Sequence, residues 1–485
     1  MRTHAPLLPY TIALWLGCTF GLNGVTALSY VFYTWLILGC WIAFGWKYSF
    51  TSLRMLLFLV CGFIGFGRSC LEIHNRPYPD GGFHLMTITS CKPLAVSHGE
   101  NIYGYGRTEE VGKVAFIWPK QIKFPSSKLR ALGKWEEFPP PSKYRSFDFR
   151  KYYESLGCRG VFKPAYTSEK ALQLPKTFPE LFRSKMASII ERAEVETPAD
   201  GFLMGLSTGD KSMINREMKD LFANAGLAHL LAVSGYHVGL VGFIPLLLLR
   251  SRRREIRWIA MIGLMLIWAF IIACGSPWSA VRAGIMISVG CLSRWFGRSI
   301  LPWQSLALAA WVVVWIDPWA PQQLGTQLSF AATAGILAVV SSPKWLILRI
   351  PIAAQSATMA WAASAFNQLP ILFLPLNVLA SLVVTLVGVL LGLGAGLSGV
   401  YPSLSNELVM IGGNVVNQCL VYLQRINDVI PLAYEIKSSQ MYIVASVAVW
   451  GWLLSSTIPQ MLARIISATA VAFVTLNLLD LLVNL

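Results

Sequence analysis

The chain has 485 residues, 55% of them hydrophobic and 13% charged, with a positive mean hydropathy. That composition excludes a soluble globule and describes a polytopic α-helical membrane protein. A net charge of +16 leaves two readings open, because cytoplasmic loops of any membrane protein collect Lys and Arg while a polyanionic partner would want them too.

Three apolar segments come first, Leu7–Leu22, Leu28–Trp46 and Leu53–Gly67, each near the roughly 20 residues a membrane helix needs. The first could pass for a signal peptide. It has only Arg2 and His4 ahead of it, no small-x-small cleavage site, and a second span at once behind it, so it reads as a membrane helix. With the basic loop Lys47–Arg54 inside, the three crossings of residues 1–70 place the next domain outside the cytoplasm.

There the character changes. No Asp or Glu precedes Glu72, and 15 of the 24 acids fall in residues 71–200, beside 20 Lys and Arg. Runs such as His84–Ile88, Ile102–Arg107 and Lys113–Trp118, separated by Gly, Pro and Asn, predict a small inserted β barrel or sandwich over residues 71–175. The nine cysteines contain no Cys-x-x-Cys and no Cys/His cluster, which argues against a zinc site. Cys91 and Cys158 both lie in this extracytoplasmic part and can pair in a disulfide there, although the sequence does not fix the pairing. The rings and cations of Phe147, Phe149, Arg150, Lys151, Tyr152 and Tyr153 are what single-strand binding uses, rings for bases and cations for phosphates. Position by position the core reading is the stronger one, since alternating aromatics in a small β domain are mostly core. Leu181, Phe182, Met186, Ile189, Ile190 and Ala193 then trace one face of an amphipathic linking helix within residues 176–200, lying along the membrane surface.

Residues 201–485 read as a second membrane domain. Its most unusual stretch is Gly209 to Gly242, GDKSMINREMKDLFANAGLAHLLAVSGYHVGLVG. Ser212 is placed to cap a short surface helix whose apolar positions Met218, Leu221, Phe222 and Ala225 follow i, i+3, i+4, i+7, and Gly226 stands where a left-handed cap would end it. From Leu227 to Leu249 the chain is apolar for long enough to cross a bilayer, yet it holds His229, Ser234 and His237, groups that are rarely left facing lipid. Gly235, Gly239 and Gly242 allow close helix packing or an unwound stretch. A broken helix beside a water-filled path is one reading, and histidines satisfied by neighbouring helices the other. The phrase GLSTGDKS imitates a phosphate-binding loop, but Asp210 stands where the second glycine is required, so ATP hydrolysis is not expected.

Further apolar segments follow at Trp258–Cys274, Ala280–Phe296, Leu301–Ile316, Leu328–Val340, Ala354–Phe373 and Leu376–Leu397. The loop Ser251–Arg257, with four arginines, marks the cytoplasmic side, and Arg294, Arg298 and Arg349 read as cytoplasmic anchors. Arg282 either snorkels to headgroups or points into a polar lumen. Asn406–Ala433 reads as an amphipathic interfacial or pore-side helix. Two last spans, Met441–Leu454 and Leu462–Leu479, bring the expected crossings to about ten to twelve.

The stretch from Gly209 resembles the signature of the ComEC competence family: Gly-Asp-(Lys/Arg)-Ser, here Gly209, Asp210, Lys211 and Ser212, then Gly-Leu-x-His-Leu-Leu-Ala-(Ile/Val)-Ser-Gly-x-His-Val-Gly-Leu, here Gly226 to Leu240. Tyr236 departs from it, standing where the family usually has leucine. Ser276, Pro277 and Arg282, then Asp317 and Pro318, then Gln327, Ser329 and Phe330, then Asn377 match later family phrases in the same order. Phe147 to Phe162 resembles a stretch of the family's OB-like extracytoplasmic barrel. The resemblance implies a multi-pass plasma (inner) membrane channel that passes single-stranded DNA into the cytoplasm during natural transformation, alongside a DNA receptor and a cytoplasmic translocation motor. It implies pore or signature roles for Asp210, Lys211, Ser212, His229, Ser234, Gly235, His237, Gly239, Arg282, Gln327, Ser329 and Asn377.

Many family members carry a metallo-β-lactamase-like domain with a His-x-His-x-Asp-His motif. No two of the six histidines here are two residues apart, so no two-metal nuclease, cofactor or catalytic residue is expected in this polypeptide, and a separate nuclease would cut the second strand. Two other classes compete: an intramembrane serine hydrolase using Ser234 and His237, and a small-molecule or lipid transporter, whose usual inverted repeats are not visible.

Overall fold

The computed structural model describes residues 11, 14–15, 64–65, 79–98, 101–119, 129–138, 149–167, 178–231, 233–248, 254–298, 300–340, 346–366, 368–370 and 372–435. Apart from single positions, the three expected N-terminal spans lie outside this set, as do Met441–Leu454 and Leu462–Leu479.

The β part is a closed barrel of β1 (Phe83–His98), β2 (Asn101–Thr108), β3 (Gly112–Pro119), β4 (Leu129–Glu136) and β5 (Val161–Thr167), in the order β1-β2-β3-β5-β4. Closure depends on β1. Its first residues, Phe83–Ile88, pair with β4 and the remainder with β2, with register shifts between Ile88 and Ser90 and between Pro93 and Ser97. Such irregularities bend a strand far enough to serve two neighbours. Strand β4 shows why the sequence folds this way: Leu129, Ala131 and Trp135 point inward and Arg130, Leu132 and Lys134 outward, the period-two pattern of a half-buried strand. Phe116, Trp118 and Phe162 are fully buried and meet edge-to-face at 6.1 and 6.3 Å, each ring stabilising the fold by about 1.5–3 kcal/mol. Gly133 is required where β4 crosses β5, since a Cβ there would lie 2.3 Å from the Lys163 carbonyl oxygen.

Helix α1 (Phe149–Ser155) packs outside the barrel, and Tyr153 fills a small core with Ala115, Cys158 and Val161. The linking helix α2 (Phe178–Arg192) is amphipathic as expected, burying Met186, Ile189 and Ile190. Then come α3 (Ala199–Thr208), α4 (Arg216–Asn224), α5 (Gly235–Leu248), α6 (Arg254–Ala273), α7 (Trp278–Trp295), α8 (Pro302–Ile316), α9 (Leu324–Val339), α10 (Leu346–Phe366), α11 (Phe373–Leu397) and α12 (Pro402–Val429). A short two-stranded antiparallel sheet of β6 (Gln368–Pro370) and β7 (Ala433–Glu435) ties the start of α11 to the end of α12. One core joins α2, α3 and α4 to α11 and α12, and a second joins α5 to α9.

Six helices, α6 to α11, stand where the sequence placed six apolar segments. Among the described residues, one helix, Phe373–Leu397, is long and apolar enough to cross a membrane by length and composition. On α11 the large exposed residues are Leu379, Leu382, Leu386, Val389 and Leu393, and on α6 they are Trp258, Ile262, Met265, Leu266 and Ile272. Spacings of three, four and seven put each set on one stripe of its helix, an apolar stripe turned outward. Inside, the same domain buries Thr208, His237, Arg282, Ser305 and Thr326. Helix α12 keeps the expected amphipathic pattern, burying Ser405, Val409, Gly412, Gly413, Val416, Leu420 and Leu423 along one face.

The barrel is tied to the bundle at the end of α8. Lys113 Nζ on β3 meets Asp317 Oδ2 at 3.1 Å, and Asp317 also accepts from the Trp319 backbone N–H and from Gln323 Nε2.

Candidate functional site

The signature folds into two halves held side by side. Its first half is the turn after α3. Gly209 takes a left-handed conformation, φ 74°, and ends the helix with its N–H on the Gly205 carbonyl. The Asp210 carboxylate accepts from the Ser212 N–H at 3.0 Å and lies 3.5 Å from Arg183 Nε of α2. Lys211 and Ser212 are exposed. Gly201 in α3 lets this loop fold back, since a Cβ there would stand 2.7 Å from the Met213 carbonyl oxygen.

Two expectations about α4 meet different outcomes. Its cap is Asn215, whose side chain accepts from the Met218 N–H at 2.8 Å, not Ser212. The spacing explains the difference: Asn215 stands three residues before Met218, whereas Ser212 is held in the preceding turn by Asp210. Gly226 does end the helix, with φ +73°, and the Leu227 N–H bonds back to the Phe222 carbonyl at 2.7 Å.

The second half is a helix break. The stretch Leu227–Leu249, expected as a broken or tightly packed helix, is a 3₁₀ turn, Ala228–Leu231, followed by an interruption and then α5 from Gly235. The sequence builds this break with a cap. Ser234 Oγ accepts from the Tyr236 N–H at 3.2 Å, while the Ser234 N–H donates to His237 Nδ1 at 3.0 Å. This is a reciprocal capping box with histidine in the place usually held by glutamate. Ser234 Oγ also lies 3.2 Å from His237 Nδ1. With Nδ1 accepting, the neutral imidazole carries its proton on Nε2, which is buried and has no partner among the described residues. His229 is exposed on the 3₁₀ turn.

The halves touch because Gly209 lacks a side chain, which would press on Val233 Cγ2 and the Cys274 carbonyl. The Val233 carbonyl in turn accepts from Ser279 Oγ at the start of α7.

Arg282 of α7 reaches this break from below. It is 7% exposed, so it does not snorkel. Its Nε donates to Ser329 Oγ at 3.0 Å and its Nη1 to Thr333 Oγ1, both on α9; Nη1 also faces Met286 Sδ at 3.8 Å, and the guanidinium lies 5.9 Å from the centre of the Phe330 ring. A Cβ on Gly235 would fall 2.6 Å from Nη2. The guanidinium thus sits against the first residue of α5, and among the described residues no carboxylate pairs with it.

The structure therefore gathers Ser234, Gly235, His237, Arg282 and Ser329 into one place. Thr333, which sequence reasoning missed, belongs with them; it stands four residues after Ser329, hence on the same helix face. Gly239 faces open space. Gln327 is elsewhere, donating to the Pro321 carbonyl, and Asn377 donates to the Phe373 carbonyl of its own helix. Tyr236 bridges a gap, its hydroxyl bonding the Ser381 carbonyl and Thr385 Oγ1 on α11.

In the barrel, Arg150 Nε is engaged by Glu154 at 2.9 Å. Tyr153 is buried, stacked at 8° on Phe138 with centroids 5.9 Å apart, which leaves it no face for a base. Tyr152 is half-buried, and burial pushes its phenol above the ordinary range. The side chains of Lys151 and Cys91 lie outside the described residues, and with them the proposed pairing of Cys91 with Cys158, which is buried. Among the described residues no three His, Cys, Asp or Glu side chains stand close enough to hold a metal ion.

Residues 206–462 match the family model described as Competence protein. The chain is 27% identical over 268 residues to ComE operon protein 3 of Bacillus subtilis (strain 168), covering 53% of this chain and 34% of that one. It is 23% identical over 253 residues to the uncharacterized protein YcaI of Escherichia coli (strain K12), covering 48% and 33%. The matched region thus spans about a third of the length of each of these relatives. No solved structure matches the chain.

Proposed function

The chain belongs to the Competence protein family, and from that premise we propose that it forms a membrane channel that takes single-stranded DNA into the cytoplasm during natural transformation. The observation that carries this is Arg282: a buried cation with neutral neighbours, set beside a break between two helical pieces, in a domain whose apolar stripes face outward. A polyanion crossing hydrocarbon needs a wet, partly basic route where backbone is irregular, and an interrupted helix is tolerated at membrane depth only against protein or water.

A topology follows from this reading. The barrel, an OB-like module, stands outside the cytoplasm and docks through Lys113 on Asp317, so the Asp317 end of α8 faces outward. Helix α7 packs on α8 and is joined to it by a short turn, which makes them antiparallel and sets Ser279 and Arg282 near the same outer end. The opposite ends of α6, α7 and α10 carry Arg254, Arg294 and Arg349, as the positive-inside rule asks of cytoplasmic ends. DNA arriving at the barrel would then meet the Ser234–Arg282 break before the body of the bundle. A DNA receptor, a cytoplasmic motor and a separate nuclease complete this reading.

The test is to delete the gene in its host and follow labelled DNA. Surface binding should persist while nuclease-protected, internalised DNA and transformants disappear; normal internalisation would refute the channel.

One observation favours a second reading. Ser234 Oγ and His237 Nδ1 are 3.2 Å apart, as a serine hydrolase would require. Against it, Nδ1 already accepts from the Ser234 N–H, and among the described residues no carboxylate orients Nε2. Stoichiometric labelling of Ser234 by a fluorophosphonate would favour the hydrolase.

A further inference from the structure

Buried charges are held by counter-ions, because removing an ion from water costs several kcal/mol even after relaxation. Arg282 breaks that rule. Among the described residues, the groups facing it are Met286 from its own helix, Ser329, Phe330 and Thr333 from α9, and Gly235 from α5, none of them negative. The acids nearest in the signature and its phrases are committed elsewhere, Asp210 to Arg183 and Asp317 to Lys113.

Its placement sharpens the difficulty. The guanidinium leans on the first residue of the 14-residue helix α5, and a helix N-terminus carries about half a positive charge. A cation and a helix N-terminus repel one another, so the arrangement lacks its negative element. In the first turn of the same helix His237, only 6% exposed, has an Nε2 that bears the proton when the ring is neutral and finds no partner among the described residues. Nη2 of Arg282 likewise donates to no described residue. The open Nη2 edge of a buried guanidinium, set against the start of a helix with no carboxylate among the described residues, describes an anion site, not a site for a cation or an uncharged sugar.

We propose that Arg282 and the N-terminal turn of α5 bind one phosphodiester group, so that successive backbone phosphates of a single strand occupy the place of the missing counter-ion as the strand passes. The proposal rests on the channel reading and adds the residues that hold the phosphate. Ser329 and Thr333 fix the guanidinium from behind, leaving its Nη2 edge for the ligand, and Gly235 is glycine because any side chain would fill that edge. One contact at a time also suits transport, since a site must bind well enough to be entered and weakly enough to be left.

The experiment uses the full-length protein purified in detergent, as wild type, Arg282→Lys, Arg282→Gln and Gly235→Ala, titrated separately with inorganic phosphate, a thymidine oligonucleotide and phosphatidylglycerol. The wild type should bind the oligonucleotide with a salt dependence steeper than that of Arg282→Gln by about 0.7, the slope expected for one phosphate contact on a single strand. Inorganic phosphate should compete in the wild type and lose that effect in Arg282→Gln. Arg282→Lys keeps the charge without the fork and should bind about tenfold more weakly. Gly235→Ala leaves the cation buried but occupies the edge and should weaken binding comparably, which keeps the test valid if Arg282→Gln misfolds. Equal phosphate competition and equal salt slopes in all four proteins would overturn the site. So would saturation by phosphatidylglycerol that the oligonucleotide cannot displace, which would assign the place to lipid. In cells the two readings separate: an Arg282→Gln strain that internalises DNA normally while the deletion strain does not removes this site and leaves the channel, whereas normal internalisation by the deletion strain removes the channel itself.

Discussion

The barrel and the helical bundle are built with opposite polarity. In the barrel, aromatic and aliphatic side chains are inside and charges are at the rim, where Glu136 sits between Lys134 and Lys163. In the bundle, Leu382 is 64% exposed and Met265 70%, while Arg282 and His237 are buried. The hydrophobic effect needs water on the outside to drive burial, so the barrel is arranged for water and the bundle for a surround that is itself apolar. Close packing and hydrogen bonds, not apolar burial, then hold such a bundle together.

The largest effect should come from the barrel. Trp118→Ala empties a fully buried site and should cost about 3–5 kcal/mol, read as lost hydrogen-exchange protection in β1 to β5 of the full-length protein. The α7 and α9 segments should keep theirs. Joint loss would show that the two regions fold as one unit and would break the contrast.

In the bundle the matching weak point is a glycine. A Cβ at Gly335 would stand 2.5 Å from the Ala353 carbonyl oxygen and 2.9 Å from Ala357 Cβ, so α9 and α10 touch through small residues. Gly335→Val should cost about 1–3 kcal/mol, seen as a lower melting temperature in detergent and faster exchange in α9 and α10. An unchanged protein would mean that the two helices do not need their close approach.

The same contrast explains what was legible in the sequence. Period-two runs announced β1, β2 and β3, and apolar length announced α6 to α11, because both signals are local. The break at Ser234 was readable as an anomaly, polar groups and glycines in an apolar run. Its cap was not, since a histidine replaces the expected glutamate. Contacts between distant residues left no local trace: Lys113 and Asp317 are 204 positions apart, and Thr333 looks like any helical threonine until Arg282 is placed against it. Tyr153 was ambiguous for the opposite reason, because a ring beside cations looks the same in a core and on a binding face.

A smaller effect tests the cap. Ser234→Ala removes the oxygen that accepts from the Tyr236 N–H and should cost about 1 kcal/mol, with exchange rising in the first turn of α5 only. Fluorophosphonate labelling should be absent in both wild type and variant. Labelling lost on substitution would turn the cap into a nucleophile.

The smallest effect lies at the barrel rim and depends on pH. Hydrogen bonds from Lys134, at 2.6 Å, and Lys163, at 2.5 Å, hold the Glu136 carboxyl down to about 2 from an ordinary value near 4.5. A depressed carboxylate stabilises the fold above its unfolded value, so the contribution is complete above pH 4.5 and disappears as the pH falls from there towards 2. Glu136 and both lysines are solvent-accessible, which limits the contribution to less than about 1 kcal/mol after screening. Glu136→Gln should therefore flatten the loss of barrel protection between pH 4.5 and 2, and 1 M salt should shrink the difference between wild type and variant. The buried Arg282 is screened far less by the same salt, so the contrast between rim and interior appears in one titration: a salt-sensitive barrel charge and a bundle whose exchange around α7 and α9 barely responds.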